Sequence, residues 1–253
     1  MAKRIAIVNQ KGGVGKSTTA VNLSAGLAEK KNKVLLIDID PQGNASSGLG
    51  IEKAEVEFTI YDLLIESEAP RKAISESETE NLDIIPANIE LAGAEIELVS
   101  LMSRESRLKN ALNKLNMNYD YIIIDCPPSL GLLTLNALTA ADSVVVPIQC
   151  EYYALEGLGQ LMNTIELVRK NLNSDLRIEG VLMTMYDART NLSDQVIEEV
   201  EDYFTDLVFK TVIPRNVRLS EAPSFGKSIL SYSSNSKGAK AYRQLAEEVI
   251  SLE

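Results

Sequence analysis

Residues 4–18 read Arg-Ile-Ala-Ile-Val-Asn-Gln-Lys-Gly-Gly-Val-Gly-Lys-Ser-Thr. The run over 4–8 is apolar and rich in β-branched residues, which predicts a buried strand. From 16 to 30, Ala20, Leu23, Leu27 and Ala28 fall on one stripe of a helix. A glycine-rich loop between a strand and a helix lets successive backbone N–H groups curl around phosphates, and the helix N-terminus adds a partial positive charge. This is the pattern of a P-loop. It makes Lys11, Gly12, Gly13, Val14, Gly15, Lys16, Ser17 and Thr18 the expected nucleotide-binding stretch. Lys16 is positioned to reach the β and γ phosphates, and the Ser17 hydroxyl to ligate Mg²⁺.

Outward from this stretch, strands alternate with helices. Strands are predicted over 34–37, 82–85, 121–124, 143–148, 178–184 and 207–212. Helices are predicted over 103–115, 155–171, 193–204 (with Ser193 as N-cap) and 237–252. Continuous apolar strands such as Ile122-Ile123-Ile124 suit a parallel sheet covered on both faces. The fold class is therefore α/β, a doubly wound, mostly parallel sheet with helices on both faces, in one domain over 1–253.

Two of these strands end on acids. Asp38-Ile39-Asp40 closes the second strand, and Asp125 closes the strand over 121–124 in the manner of a Walker B aspartate. Carboxyl ends of strands in such a sheet converge on the ligand crevice. Asp38 and Asp125 are thus candidate Mg²⁺ ligands with Ser17, and Asp40 is a candidate for orienting an attacking water. Lys16 and Asp40 are the catalytic residues the motif itself predicts, and a role for Lys11 rests on the resemblance given below.

The bulk numbers narrow the class. Of 253 residues 45% are apolar, enough for a sizeable core, and no apolar run reaches the roughly 18 residues of a spanning helix. Two cysteines, Cys126 and Cys150, fit a reducing compartment, so a cytoplasmic location is expected. There is no histidine, which excludes imidazole acid–base chemistry and histidine metal sites. The net charge of −11 disfavours general nucleic-acid binding, yet residues 210–243 hold seven basic residues against one acid, Glu221. That local excess suggests an anionic partner for one surface. Arg218 and Lys227 flank residues 219–226, and Arg189 follows the strand over 178–184. These three are the candidate contacts to such a partner, DNA by the resemblance given below.

One position departs from the standard P-loop. Its first glycine is replaced by Gln10, and an additional lysine, Lys11, follows. In this the chain resembles the deviant Walker A class. With residues 38–44, Ile124-Asp125-Cys126-Pro127-Pro128, and residues 151–157 and 212–226, it resembles the ParA/Soj-type DNA-partitioning ATPases, relatives of MinD. The resemblance spans nearly the whole chain and begins at the P-loop strand, without the N-terminal DNA-reading domain of some plasmid relatives. It implies an ATP-bound sandwich dimer, with Lys11 crossing to the partner's nucleotide and Gly12 and Gly13 letting two P-loops meet. It also implies non-specific binding to double-stranded DNA, nucleoid association, and a ParB-type partner that stimulates slow hydrolysis. By the same resemblance Asp40 positions or activates water, and Pro214, Arg215 and Asn216 border the adenine.

Three rivals are weaker. A MinD-like membrane-associated ATPase needs a basic amphipathic tail, and residues 241–250 end acidic. An iron–sulfur ATPase needs cysteine ligands at usual spacing, which Cys126 and Cys150 lack. A nucleotide-holding module without turnover is disfavoured by Asp40, Lys11 and Lys16 together.

Overall fold

The computed structural model describes residues 2–115, 118–152, 154–155 and 157–252. Tyr153 and Glu156, within the 151–157 stretch, lie outside the described residues.

Seven strands form one sheet: β1 Lys3–Ile7, β2 Val34–Asp38, β3 Ser75–Glu76, β4 Leu82–Ile85, β5 Tyr121–Asp125, β6 Ser143–Gln149 and β7 Arg177–Thr184. Their order is β3-β4-β2-β5-β1-β6-β7, parallel except for the antiparallel edge strand β3. The chain leaves β1 towards β2 on one side and crosses from β5 to β6 on the other. The carboxyl ends of β1, β2 and β5 therefore open on a crevice at the change of direction.

The helices are α1 Lys16–Glu29, α2 Asn44–Gly48, α3 Leu91–Leu98, α4 Arg107–Asn113, α5 Leu132–Ala140, α6 Leu158–Asn171, α7 Asn191–Phe204, α8 Val217–Glu221, α9 Ile229–Tyr232 and α10 Lys237–Ser251. They cover both faces of the sheet. Successive strand residues divide between two cores: Leu35, Ile37, Ile122 and Ile124 join one, and Val34, Leu36, Tyr121 and Ile123 the other. This division is why the strands read as unbroken apolar runs. The second core holds α1 and α10. Gly26 lets them approach closely, since a Cβ there would lie 3.0 Å from the Ala246 side chain and 3.2 Å from the Tyr242 carbonyl.

Several expectations change. Residues 207–212 do not form a regular strand. They follow β7 through an isolated bridge at Val208 and bonds from Phe209 N to Val181 O and Ile213 N to Met183 O, both 2.9 Å. Between these, the N–H groups of Lys210 and Thr211 donate to the Glu248 carboxylate on α10, at 2.7 and 3.0 Å, which takes them from the ladder. Ser193 does not cap α7. The helix begins at Asn191, and the Ser193 hydroxyl accepts from Asp187 N at 3.3 Å inside its first turn. The helix expected over 103–115 opens with a 3₁₀ turn, Arg104–Ser106, before α4. Helices α3 and α5 add to the expected set. Both are short and strongly apolar, so they carry little periodic signal.

Candidate functional site

The loop after β1 is built by its glycines. Gly13 and Gly15 take left-handed φ values of +76° and +89°, which side chains resist. Gly15 also caps α1, turning the first helical N–H groups towards a cleft of about 740 Å³. Gly12, Gly13, Gly15, Lys16, Ser17 and Thr18 line this cleft on one side, with Asp40. Pro214, Arg215 and Asn216 line it on the other. Residues far apart in sequence thus share one cavity.

Two members of the expected stretch are not among the lining residues. The Val14 side chain is buried, and its carbonyl accepts from Thr184 Oγ1 at 2.9 Å, which ties the loop to the end of β7. Lys11 contributes its carbonyl, which accepts from Lys16 Nζ at 3.1 Å. The Lys16 ammonium is held back on its own loop in this arrangement. Burial lowers its pKa, while the Asp125 carboxylate, followed by Cys126 and Asp40, opposes that shift.

The acids behave differently from one another. Asp38 is fully buried, and its carboxylate accepts from Asp40 N at 3.1 Å, Ser46 N at 2.8 Å and Ser46 Oγ at 2.7 Å. Burial pushes its pKa up to about 6 in spite of these donors. Asp38, expected as a metal ligand, therefore holds the turn that presents Asp40. Asp40 lines the cleft, 6% exposed, and accepts from Gln42 N at 2.9 Å. Asp125 is fully buried, and neither of its oxygens has a hydrogen-bond partner of ordinary geometry among the described residues. Burial raises its pKa well above the carboxylate range, and the Asp38 charge adds to this. The nearby Ser17 hydroxyl and Lys16 ammonium offset the rise only in part. A buried carboxylate without a donor of ordinary geometry, next to a P-loop serine, fits a divalent cation.

Backbone pairing brings two of the basic segments together. The bridge between Tyr186 and Pro214, and the bond from Arg215 N to Tyr186 O at 2.8 Å, bring the Arg189 loop beside the segment carrying Arg215 and Arg218. Arg215 pairs with Glu151 at 3.1 Å. Arg189 is clasped by Asp187, at 2.8 Å and 2.6 Å, and Arg218 by Glu221 at 2.9 Å. The pairing holds Asp187 well below the usual carboxylate range. Lys227 is exposed at the mouth of the cleft.

Sequence reasoning missed some cleft residues. Asn44 and Ser47 come from α2, whose five residues give no periodicity. Thr184 lies at the carboxyl end of β7, a signal that could have been used. Tyr242 comes from α10, where the sequence shows only a core position, and its hydroxyl lies 3.2 Å from Thr19 Oγ1.

Fold and cleft together define a P-loop nucleotide-binding protein. The AAA domain family model matches residues 2–178. The chain is 68% identical to the sporulation initiation inhibitor protein Soj of Bacillus subtilis, covering 98% of both chains. It is 56% identical to the chromosome partitioning protein ParA of Myxococcus xanthus, over 97% of this chain and 87% of that one. A cobyrinic acid a,c-diamide synthase from Mycobacterium smegmatis, solved with ADP and magnesium, superposes with a TM-score of 0.86 at 42% identity, covering 98% and 93% of the two chains. The two relatives of higher identity decide the family. The chain belongs to the ParA/Soj family of chromosome-partitioning ATPases.

No helix of the described residues is long and apolar enough to cross a membrane. The apolar face of α10, including Ala239, Tyr242, Leu245, Ala246 and Val249, is buried within the second core.

Proposed function

We propose that this ATPase, as a single domain over 1–253, forms an ATP-dependent sandwich dimer that binds double-stranded DNA without sequence preference and acts with a ParB-type partner. It works in the cytoplasm, on the nucleoid, without a membrane anchor. ATP occupies the cleft. Backbone N–H groups of residues 12–18 surround its phosphates, Lys16 moves from the Lys11 carbonyl to the β and γ phosphates, and the adenine lies against Pro214, Arg215 and Asn216. Mg²⁺, when bound, neutralises charge on the phosphate oxygens. Ser17 and Asp125 hold it, with Asp38 bracing the neighbouring turn. Asp40 orients the attacking water. Lys11 reaches the nucleotide of the second copy.

The observation that carries this reading is Gly12. It is exposed, has no left-handed φ, and a Cβ added there would meet nothing within 4 Å. Nothing within the chain requires glycine at this position, whereas a second P-loop pressed against it would. DNA contacts come from Arg189, Arg218 and Lys227. A dimer doubles three phosphate contacts to about six, so log K should fall with log salt at a slope near −5.

The test is DNA binding across a salt series with ADP, ATP and a slowly hydrolysed ATP analogue. Binding is expected with the ATP forms alone. Equal binding with ADP overturns the dimer-controlled reading.

A further inference from the structure

Among the described residues, Phe225 and Val217 are the large apolar side chains exposed between residues 210 and 243, at 62% and 71%. Phe225 is braced rather than free. Its ring stacks on that of Tyr232, with centroids 5.0 Å apart and planes at 26°. The Tyr232 hydroxyl donates to the Glu221 carboxylate at 3.1 Å, and Arg218 donates to the same oxygen at 2.9 Å. The backbone is fixed as well. The 3₁₀ turn Ala222–Phe225 holds Pro223 near its start and ends at Gly226. Gly226 has a left-handed φ of +63° and presses on Gly50, where a Cβ would lie 2.6 Å from the Gly50 Cα. A ring backed on one face by Tyr232 and still mostly exposed turns its other face to water.

Charge indicates what meets that face. Residues 217–240 hold Arg218, Lys227, Lys237 and Lys240 against the single acid Glu221, in a chain of net charge −11. Lys227, Lys237 and Lys240 are exposed. Lys227 follows Phe225 by two residues. The start of α10 seats against α8, since a Cβ on Gly238 would lie 2.8 Å from the Leu219 side chain. This brings Lys237, the neighbour of Gly238, to the element that carries Arg218. Cations around an open aromatic face suit a ligand that is both anionic and flat. Unpaired bases on a phosphate backbone are both, and single strands are held by this combination of aromatic stacking and basic backbone contacts. In a duplex the bases stack on one another and show only their edges. A lipid surface needs a broader apolar face than Val217 and Phe225 offer.

We propose that Phe225 is a stacking platform for an unpaired base, so that this segment, with Lys227 and Lys237, binds single-stranded DNA in addition to the duplex. The proposal rests on the reading of Arg218 and Lys227 as DNA contacts and extends it to a second form of the ligand. Phe225 is not among the residues lining the nucleotide cleft, so its role is separate from ATP binding.

The chain has no tryptophan, so Phe225→Trp places a single fluorescent reporter at the site. The full chain, with a slowly hydrolysed ATP analogue, is titrated with an oligothymidylate and with a duplex of equal length. Stacking should quench the Phe225→Trp emission on the single strand, whereas the duplex should leave it unchanged. In parallel anisotropy titrations, Phe225→Leu keeps apolar bulk but has no π face. It should lose about tenfold or more in single-strand affinity and bind duplex like the parent. Phe225→Trp should keep parental single-strand affinity, and Lys227→Ala should weaken both forms. Thermal melts and basal ATP hydrolysis confirm that the Phe225 variants are folded. A parent that binds duplex but no single strand overturns the proposal and leaves the reading of the DNA contacts intact; a parent that binds neither overturns both. Phe225→Leu with parental single-strand affinity overturns the proposal, as does equal quenching by the duplex. Tighter binding to an oligouridylate would make RNA the ligand, and an emission shift on anionic vesicles without a response to the single strand would make it a membrane; either result overturns the assignment to single-stranded DNA.

Discussion

Asp38 and Asp125 stand side by side in register at the ends of β2 and β5, both fully buried, yet Asp38 accepts three hydrogen bonds and Asp125 none of ordinary geometry among the described residues. The fold satisfies one carboxylate and leaves the other without such donors. Both have pKa values raised by burial, so the folded state binds protons more tightly than the unfolded chain. The penalty is absent below the unfolded value of 3.8 and grows as pH rises through the folded values, about 6 for Asp38. The Mg²⁺-free protein should therefore gain Tm as pH is lowered from about 7 towards about 4. Asp125→Asn should flatten that dependence and raise the neutral-pH Tm by a few degrees. It should also raise the Mg²⁺ needed for half-maximal hydrolysis by about tenfold or more. An unchanged Mg²⁺ requirement moves the metal role away from Asp125.

Lys16 separates stability from binding. Its buried ammonium donates to the Lys11 carbonyl, and burial disfavours its charge. Lys16→Gln should leave the Tm of the nucleotide-free protein equal or higher. ATP affinity should fall by roughly two orders of magnitude, since a charge-assisted bond to the phosphates is removed. Isothermal titration with ATP checks this, and parental affinity would refute the phosphate role.

Gly12→Val tests the face-to-face arrangement. The site has open space and an ordinary φ, so folding and ATP binding should persist. The ATP-dependent dimer should disappear from light scattering, because the isopropyl group would sit between two P-loops. A dimer of parental strength would sink the sandwich arrangement.

Asp40→Ala should bind ATP and dimerise while hydrolysing about 100-fold more slowly, the typical effect of losing a group that handles the attacking water. Asp40 accepts the local Gln42 N–H, whereas the turn itself is held by Asp38 through Ser46, so the turn should stay in place without the Asp40 carboxylate. Phosphate release measures this. Normal turnover would assign the water to another group.

Arg189 carries a restraint in its own loop. Asp187 holds one edge of its guanidinium through two bonds, so phosphate binding there must compete with an existing ion pair. Asp187→Asn should strengthen DNA binding severalfold, whereas Arg189→Ala and Arg218→Ala should each weaken it. Each alanine should also make the salt slope shallower, by about one in a monomer and about two in a dimer, because each copy neutralises one phosphate fewer. Filter binding across a salt series reads all three. If none of them changes DNA affinity, these arginines are not the DNA surface.

Much of the molecule is legible in the sequence because its signals are local. The strand, glycine loop and helix over residues 4–29 are written in consecutive residues, and backbone geometry allows them little freedom. The apolar runs of β2, β5 and β6 likewise announce a sheet covered on both faces. Where the local signal misleads, a distant group intervenes. Residues 207–212 have strand character, but Glu248 takes two of their N–H groups. Helix α3 is hidden because apolar Ile96 and Val99 on its exposed side blur the pattern of its buried face.

The sequence by itself therefore determined the P-loop, the alternating α/β order and the presence of acids at the ends of β2 and β5, since each depends on neighbours along the chain. Only the tertiary structure decided which acid is satisfied and which is not. It alone brought Pro214, Arg215, Asn216 and Tyr242 to the cleft, paired Arg189 and Arg218 with acids, and left one face of α3 in water. These outcomes turn on burial and hydrogen-bond partners, which are properties of three-dimensional packing and have no counterpart in residue order.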